Sequence, residues 1–247
     1  VAITKDFVAQ GQVQFTPAFD IAFSLSSGQL SRSNKLLFVS GHSRGNSGTS
    51  EITSVVVRTA SGGGGSLVAS LTQVLNIEAD NILHAAFWHL LDTDVDGLSA
   101  GTTYYLRVTT SNAFDIGAGI LLLDNITQGA PTATAGTNAG GTSIQDTITV
   151  PADPGIIVDN WSGNFASGTV MLADIGETRT DASWISTDIN IGELQAQAAY
   201  TDSSSSGTKT FGWSGDFHNR NALGILYYPE AAAAARRPNV HIYGAFA

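Results

Sequence analysis

Three groups of residues have the types and the spacing to do chemistry. The first is Gly41-His42-Ser43-Arg44-Gly45, a G-x-S-x-G closing the apolar run Leu36-Leu37-Phe38-Val39. In a serine hydrolase this pattern sets the serine on a sharp bend from a strand into a helix, with the hydroxyl exposed beside an oxyanion hole of backbone N–H groups. The following residues, NSGTSEITSVVVRT, instead read as a Gly/Ser turn and a β-branched strand without helical period. His218 and Asp174 would be formal partners, but the context predicts a loop over residues 41–48, no catalytic residue and no enzyme. The second group is Asp92, Asp94 and Asp96 before Gly97, which opens as a calcium loop does. Its twelfth position is Thr103 rather than a bidentate Glu, and its flanks are strand-like, so a helix-flanked calcium hand is excluded. A looser Ca²⁺ site on the three carboxylates is one expectation, because such close charges repel without a cation. An exposed Asp/Gly connection is the other.

The third group is aromatic. Trp88, Trp161, Trp184 and Trp213, with Tyr104, Tyr105, Tyr227 and Tyr228, are the residues that would stack on sugars. Aromatics spaced through strands fill cores, since they bury large areas and suit a pleated surface. Trp184, in the turn-rich stretch 181–186, is the one marked as a ligand candidate. His84 and His89 stand an odd number of residues apart in one strand, so they face opposite sides and share no metal. There is no phosphate loop and no dinucleotide fingerprint, and Ca²⁺ is the sole cofactor considered.

The elements that position these groups are strands. Short apolar or alternating runs, broken by Gly, Ser, Asn and Asp, predict strands near residues 20–25, 35–40, 52–59, 67–75, 82–91, 102–110 and 117–123. After a turn-rich connection they continue near 143–150, 155–161, 168–173, 194–200, 208–213 and 222–228. Residues 104–108 alternate, as a half-buried strand does, whereas 119–123 and 155–158 are apolar on both faces. The latter pattern predicts central strands covered on both sides or lying at a subunit contact. Residues 62–65, four glycines in a row, read as a flexible hairpin loop. The expected organisation is an N-terminal arm (1–18), one antiparallel all-β sandwich (19–229) and a C-terminal arm (230–247). Phe7, Phe15, Ile242, Tyr243 and Phe246 are the apolar anchors of the arms, and ordering such arms calls for a surface to bind, on a neighbour or on their own domain.

Composition narrows the partners. The net charge is −10, and among eleven Lys and Arg only Arg236 and Arg237 are adjacent, so phosphate backbones would be repelled and no nucleic acid is expected. Charged residues make up 13% of the chain, about half the usual share, which suits surfaces that meet other proteins. No run approaches the eighteen apolar residues of a membrane span, and the start VAITKDFVAQ lacks the pattern of a signal peptide. With no cysteine, packing alone must hold the fold.

The order of several short motifs resembles a widespread β-sandwich domain of phage virion proteins and bacterial secreted or surface proteins. The motifs are Ser33-Asn34-Lys35-Leu36-Leu37-Phe38-Val39, Ile52-Thr53-Ser54-Val55, Phe87-Trp88-His89-Leu90-Leu91 and Gly129-Ala130-Pro131. They continue with Gly155-Ile156-Ile157-Val158-Asp159, Ala198-Ala199-Tyr200, Lys209-Thr210-Phe211-Gly212-Trp213 and the close over residues 222–229. The resemblance implies a two-sheet, jelly-roll-like sandwich used as a building or adhesive module, with no catalytic residues. Two functions follow as expectations. One is a structural virion protein of a tailed phage, in capsid decoration, head fibre or tail, acting as a homo-oligomer with other virion proteins. The other is a bacterial surface module that binds glycans through Trp184 and the Asp92 loop, at an extracellular location.

Overall fold

A strand that is apolar on both faces needs cover on both sides, and that requirement organises this molecule. The structure is a computed structural model that describes residues 2–45, 51–112, 115–151, 154–164, 173–176, 181–191, 194–214 and 220–232. It is all-β with antiparallel pairing and sandwich packing, as the sequence predicts. The first half contributes β1 (Lys5–Gln14), β2 (Ala18–Phe23), β3 (Leu36–Arg44), β4 (Ile52–Arg58), β5 (Leu67–Ser70), β6 (Thr72–Ala79), β7 (Leu83–Leu91), β8 (Tyr104–Thr110) and β9 (Asp115–Leu123). Two single-turn helices, α1 (Ser27–Leu30) and α2 (Asp92–Val95), interrupt them. The second half contributes β10 (Ala133–Ala139), β11 (Ser143–Val150), β12 (Gly155–Asn164), β13 (Ala173–Gly176), β14 (Asp181–Ile191), β15 (Leu194–Ser203), β16 (Gly207–Ser214) and β17 (Asn221–Pro229). Among the described residues no helix is long and apolar enough to cross a membrane.

These strands build four sheets rather than two. The first sandwich faces the order β1-β9-β3-β7-β6 with β2-β8-β4-β5, and the second faces β10-β17-β12-β15-β14 with β11-β16-β13. The orders β1-β9-β3-β7 and β2-β8-β4-β5 are those of an eight-stranded jelly roll. Substituting β10, β11, β12, β13, β14, β15, β16 and β17 for β1, β2, β3, β4, β6, β7, β8 and β9 reproduces the second half strand for strand. Only β5 has no counterpart among the described residues. The chain is therefore a tandem of two topologically equivalent jelly rolls.

Three cores alternate with the four sheets. Leu37, Val39, Trp88, Leu106 and Ile120 fill the first sandwich, and Ile144, Trp161, Phe211, Trp213 and Ile225 fill the second. Between them, Leu36, Phe38, Phe87, Leu121 and Leu123 pack on Ile156, Val158, Ala198, Leu226 and Tyr228. Alternate residues of β3, β9, β12 and β17 thus enter different cores, which is why those strands read as apolar on both faces. The expected single sandwich over residues 19–229 is two, joined through their inner sheets. At the flank of this joint Gly136 of β10 lies against Ile77 of β6, where a Cβ would occupy the space of the Ile77 side chain.

The N-terminal arm is also corrected. Residues 5–14 pair with β9 over its whole length, so this segment is an edge strand of the first inner sheet. The run expected at 67–75 divides at the buried Leu71, with β5 in the outer sheet and β6 in the inner one. The glycine loop between β4 and β5 is a hairpin loop, and it is pinned. Gly62 N donates to Asp20 Oδ2 (2.7 Å), which also takes Arg107, while Arg58 donates to the carbonyls of Gly64 and Gly65.

Candidate functional site

Ser43 lies within β3, paired with His84 on one side and Ile116 on the other, and its side chain is fully buried. The strand continues to Arg44, so there is no bend to present a nucleophile, and residues 41–44, expected in a loop, are strand. The glycine of the motif has a packing cause. A Cβ on Gly41 would stand 2.6 Å from the Trp88 ring and 2.9 Å from Ile52. Asp174 lies in β13, in the outer sheet of the other jelly roll, and His218 lies outside the described residues. A fluorophosphonate probe is expected to leave the folded protein unlabelled, and stoichiometric labelling at Ser43, mapped by mass spectrometry, would overturn this reading.

The polar chemistry gathers on the opposite face of β3, inside the joint. His42 Nδ1 is 2.7 Å from Ser162 Oγ of β12, and its Nε2 is 3.0 Å from Ser40 Oγ. Ser162 donates to the His84 carbonyl (2.9 Å), and Asn160 Nδ2 donates to Ser40 Oγ and to the Ala86 carbonyl (both 3.1 Å). The donors order the chain of bonds. Ser162 spends its proton on a carbonyl, so it accepts from His42 Nδ1–H, and Nε2 accepts from Ser40, which accepts from Asn160. One neutral tautomer satisfies the imidazole on both nitrogens. Burial pushes the His42 pKa down to about 3, as expected for a cation that would have to form in a dry layer. With His42, Ser40, Asn160 and Ser162 all fully buried, the cluster has no route to a substrate. It holds β3 and β12 in one mutual register, because any slip would strand several buried polar groups.

A charged cluster closes one end of the stack. Lys35, with its side chain 2% exposed, contacts Asp92 and Asp96 (both 2.7 Å) and donates to the Arg32 carbonyl (2.6 Å). Arg32 pairs with Asp6 (2.7 Å) and Asp124 (3.2 Å). Burial disfavours the Lys35 ammonium, but its hydrogen bonds to Asp92 and Asp96 outweigh that and raise its pKa. The repulsion that made Ca²⁺ an expectation here is thus relieved by the protein's own cation. Asp92 begins α2, Asp94 is exposed on it, and among the described residues no group of three His, Asp or Glu is placed to hold a metal ion. Replacing Lys35 with Ala is expected to cost about 1–3 kcal/mol, below the usual cost of breaking a buried pair because Asp96 is largely solvated. The wild-type melting temperature is expected to be equal in Ca²⁺ and in chelator. A rise with Ca²⁺ would return the metal to this turn.

The remaining candidates separate. Trp88, Trp161, Trp213, Tyr104, Tyr227 and Tyr228 are buried core residues. His84 and His89 face opposite sides of β7, His84 toward Asn76 and His89 toward Tyr228. Trp184 lies in β14, at the edge of its sheet, in strand rather than in a turn, and its side chain lies outside what the structure describes. Phe7 and Phe15, 51% and 65% exposed, lie on and just beyond the edge strand β1. Ile242, Tyr243 and Phe246 fall outside the described residues.

Sequence reasoning missed a cleft of about 450 Å³ between the two jelly rolls, lined by Thr72, Val74, His89, Leu91, Pro131 and Thr134 among others. His89 Nδ1 lies 2.9 Å from Tyr228 Oη. Burial lowers the histidine pKa and raises that of the tyrosine, so the pair is neutral at ordinary pH. The cleft offers apolar walls and hydroxyl groups without a charge. Its one sequence signal is the Gly129-Ala130-Pro131 connection, which reads as a turn.

No protein-family model matches this chain, and no curated protein matches it. Among solved structures it is similar to the major capsid protein P2 from bacteriophage PM2. The identity is 10%, the TM-score is 0.25, and the match covers 93% of this chain and 98% of that one.

Proposed function

We propose that this chain is a non-enzymatic structural protein of a tailed-phage particle, a decoration or head-fibre component of the capsid or a part of the tail. It works by assembling with copies of itself and with other virion proteins. The observation that carries the reading is where the polar groups lie. The His42 network is sealed in the joint between two duplicated jelly rolls, and what the molecule turns outward includes open sheet edges and a surface poor in charged residues. A rigid block with open edges is suited to repeated contact, since association covers edges that a monomer leaves exposed. The resemblance of the sequence motifs to phage virion proteins supports the same reading.

The test is the solution mass of the full chain by light scattering, together with co-sedimentation of the purified chain with phage heads and tails. A defined oligomer that binds particles is expected. A strict monomer that binds neither heads nor tails would overturn the reading.

A further inference from the structure

The cleft between the jelly rolls has a cause in the strand that borders it. Thr72, Gln73 and Leu75 of β6 pair with His89, Trp88 and Phe87 of β7, so Val74 is one residue too many. At this bulge Val74 and Leu75 both pack on the core of the joint. Further along β6, Ile77 and Glu78 meet Gly136 and Asn138 of β10, which closes the flank there. Beside the bulge the flank is open, and the cleft of about 450 Å³ lies between Thr72 and Val74 on one side and Pro131 and Thr134 on the other.

One polar side chain faces this space from within the fold. His89 is 5% exposed and lines the cleft. Its Nδ1 is 2.9 Å from Tyr228 Oη, and neither side chain has another hydrogen-bond partner among the described residues. Tyr228 is fully buried, so its hydroxyl proton goes to Nδ1. Burial keeps the ring neutral, and with Nδ1 accepting, the imidazole proton sits on Nε2. That atom is not sealed in the fold as the unpartnered Nε2 of His84 is. It presents an N–H donor at the back of the cleft.

The walls select what would fill it. Val74, Leu91 and Pro131 are apolar, Thr72 and Thr134 are exposed at its mouth, and no residue lining it is charged. An ion would leave water there without a partner, at high cost. A neutral molecule with an apolar body gains the walls, and one that also carries an acceptor oxygen satisfies Nε2–H. The volume falls within the range of about 300–1,000 Å³ usual for small-molecule sites, and such sites favour the meeting of two domains.

We infer that this cleft is a binding site for an uncharged small molecule that joins an apolar ring to a carbonyl-type oxygen, with the oxygen accepting from His89 Nε2–H. The site goes beyond the assembly reading, and the two stand or fall separately.

The experiment follows the ring nitrogens of His89 by NMR in the full chain labelled with ¹⁵N-histidine, the signals being assigned by their loss in His89→Phe. Nδ1 is expected to be unprotonated and Nε2 protonated; the reverse tautomer would remove the donor and overturn the inference. The probes are acetanilide, a phenyl ring bearing an amide carbonyl, N-ethylaniline, which has nearly the same shape without the carbonyl, and benzoate, which adds a charge. Saturable binding of acetanilide is expected, in the millimolar range of so small a ligand, with a shift of the His89 Nε2–H signal. N-ethylaniline is expected to bind about fivefold more weakly, the worth of one hydrogen bond, and benzoate is expected not to saturate. Thr134→Trp, at an exposed position, is expected to fill the cleft and abolish acetanilide binding while the His42 signals, which report the joint, stay unchanged. No saturable binding of acetanilide, equal binding of acetanilide and N-ethylaniline, or undiminished binding by a folded Thr134→Trp would each overturn the inference. The mass of the chain and its binding to phage particles test the assembly reading and are untouched by these results.

Discussion

Stability is expected to fall by about 2 kcal/mol between pH 6.5 and pH 4.5 on account of His42 alone, two pH units at about 1.4 kcal/mol each less about 0.4 kcal/mol because the unfolded imidazole is already half protonated at pH 6.5. In the native protein this imidazole stays neutral down to about pH 3, because burial in the joint disfavours its cation. In the unfolded chain it takes up a proton below its ordinary value of 6.5. Over that window the unfolded state binds more protons, so the contribution is fully present above pH 6.5, shrinks as the pH falls and levels off near 3. His84 and His89, whose values burial also lowers, add in the same direction. The side chains bonded to His42 are Ser40 and Ser162, and Asn160 bonds to Ser40; all three are uncharged. The nearest charges along the same face are Arg44 and Asp115, which pair with each other (3.1 Å). Urea midpoints measured from pH 7.5 to 4.5 check the sign and keep clear of most carboxylate titration. His42→Gln is expected to be less stable at neutral pH, since its amide cannot replace both ring contacts, and to show a shallower pH slope. An unchanged slope in that variant would show that the acid sensitivity lies elsewhere.

The fold was legible where burial leaves a pattern. Alternation in residues 104–108 and double-sided apolar runs at 119–123 and 155–158 gave strands of the right kind, and the latter announced cover on both faces. What the runs do not encode is the identity of the cover. A second jelly roll and a second subunit impose the same pattern on Leu121, Leu123, Ile156 and Val158, so one sandwich was expected where there are two. β10 was missed because its sequence is Ala, Thr, Gly and Asn: Gly136 makes room for Ile77, and Ala133, Ala135 and Ala139 bring only small apolar side chains to the second core. β1 was missed for the opposite reason. As an edge strand it mixes exposed and half-buried residues and leaves Phe7 in solvent, so its pattern is that of a tail. The G-x-S-x-G motif was set aside on the expectation of a loop, and since residues 41–44 are strand its meaning was not readable. Gly41 makes room for Trp88, and His42 belongs to a joint whose other half, Asn160 and Ser162, lies about 120 residues away. The Asp92 turn was legible as a demand for positive charge, and Lys35, nearly sixty residues earlier, supplies it.

The second large effect is expected from Phe38→Ala, at about 3–5 kcal/mol. Phe38 is fully buried in the joint, with its ring 5.0 Å from that of Phe87 in its own sheet and edge-on to Tyr228, 6.1 Å away, in the facing one. Truncation would leave a cavity between two sheets whose backbones are held by ladders on either side, so little collapse can offset it. The site also tests whether the tandem behaves as one body. Linked domains usually meet through modest, polar interfaces and open independently. Here the contact is a core in its own right, and β3, β9, β12 and β17 each serve two cores at once. Neither jelly roll can lose its inner sheet without uncovering the other, so thermal unfolding is expected to be a single transition. Hydrogen exchange resolves the point locally. Amides of β8 in one outer sheet and β16 in the other are expected to report the same opening free energy, and Phe38→Ala is expected to lower both equally, although neither strand touches the joint. Loss of protection in one outer sheet alone would mean that the two jelly rolls unfold separately, and a rigid block would then be the wrong description of this chain.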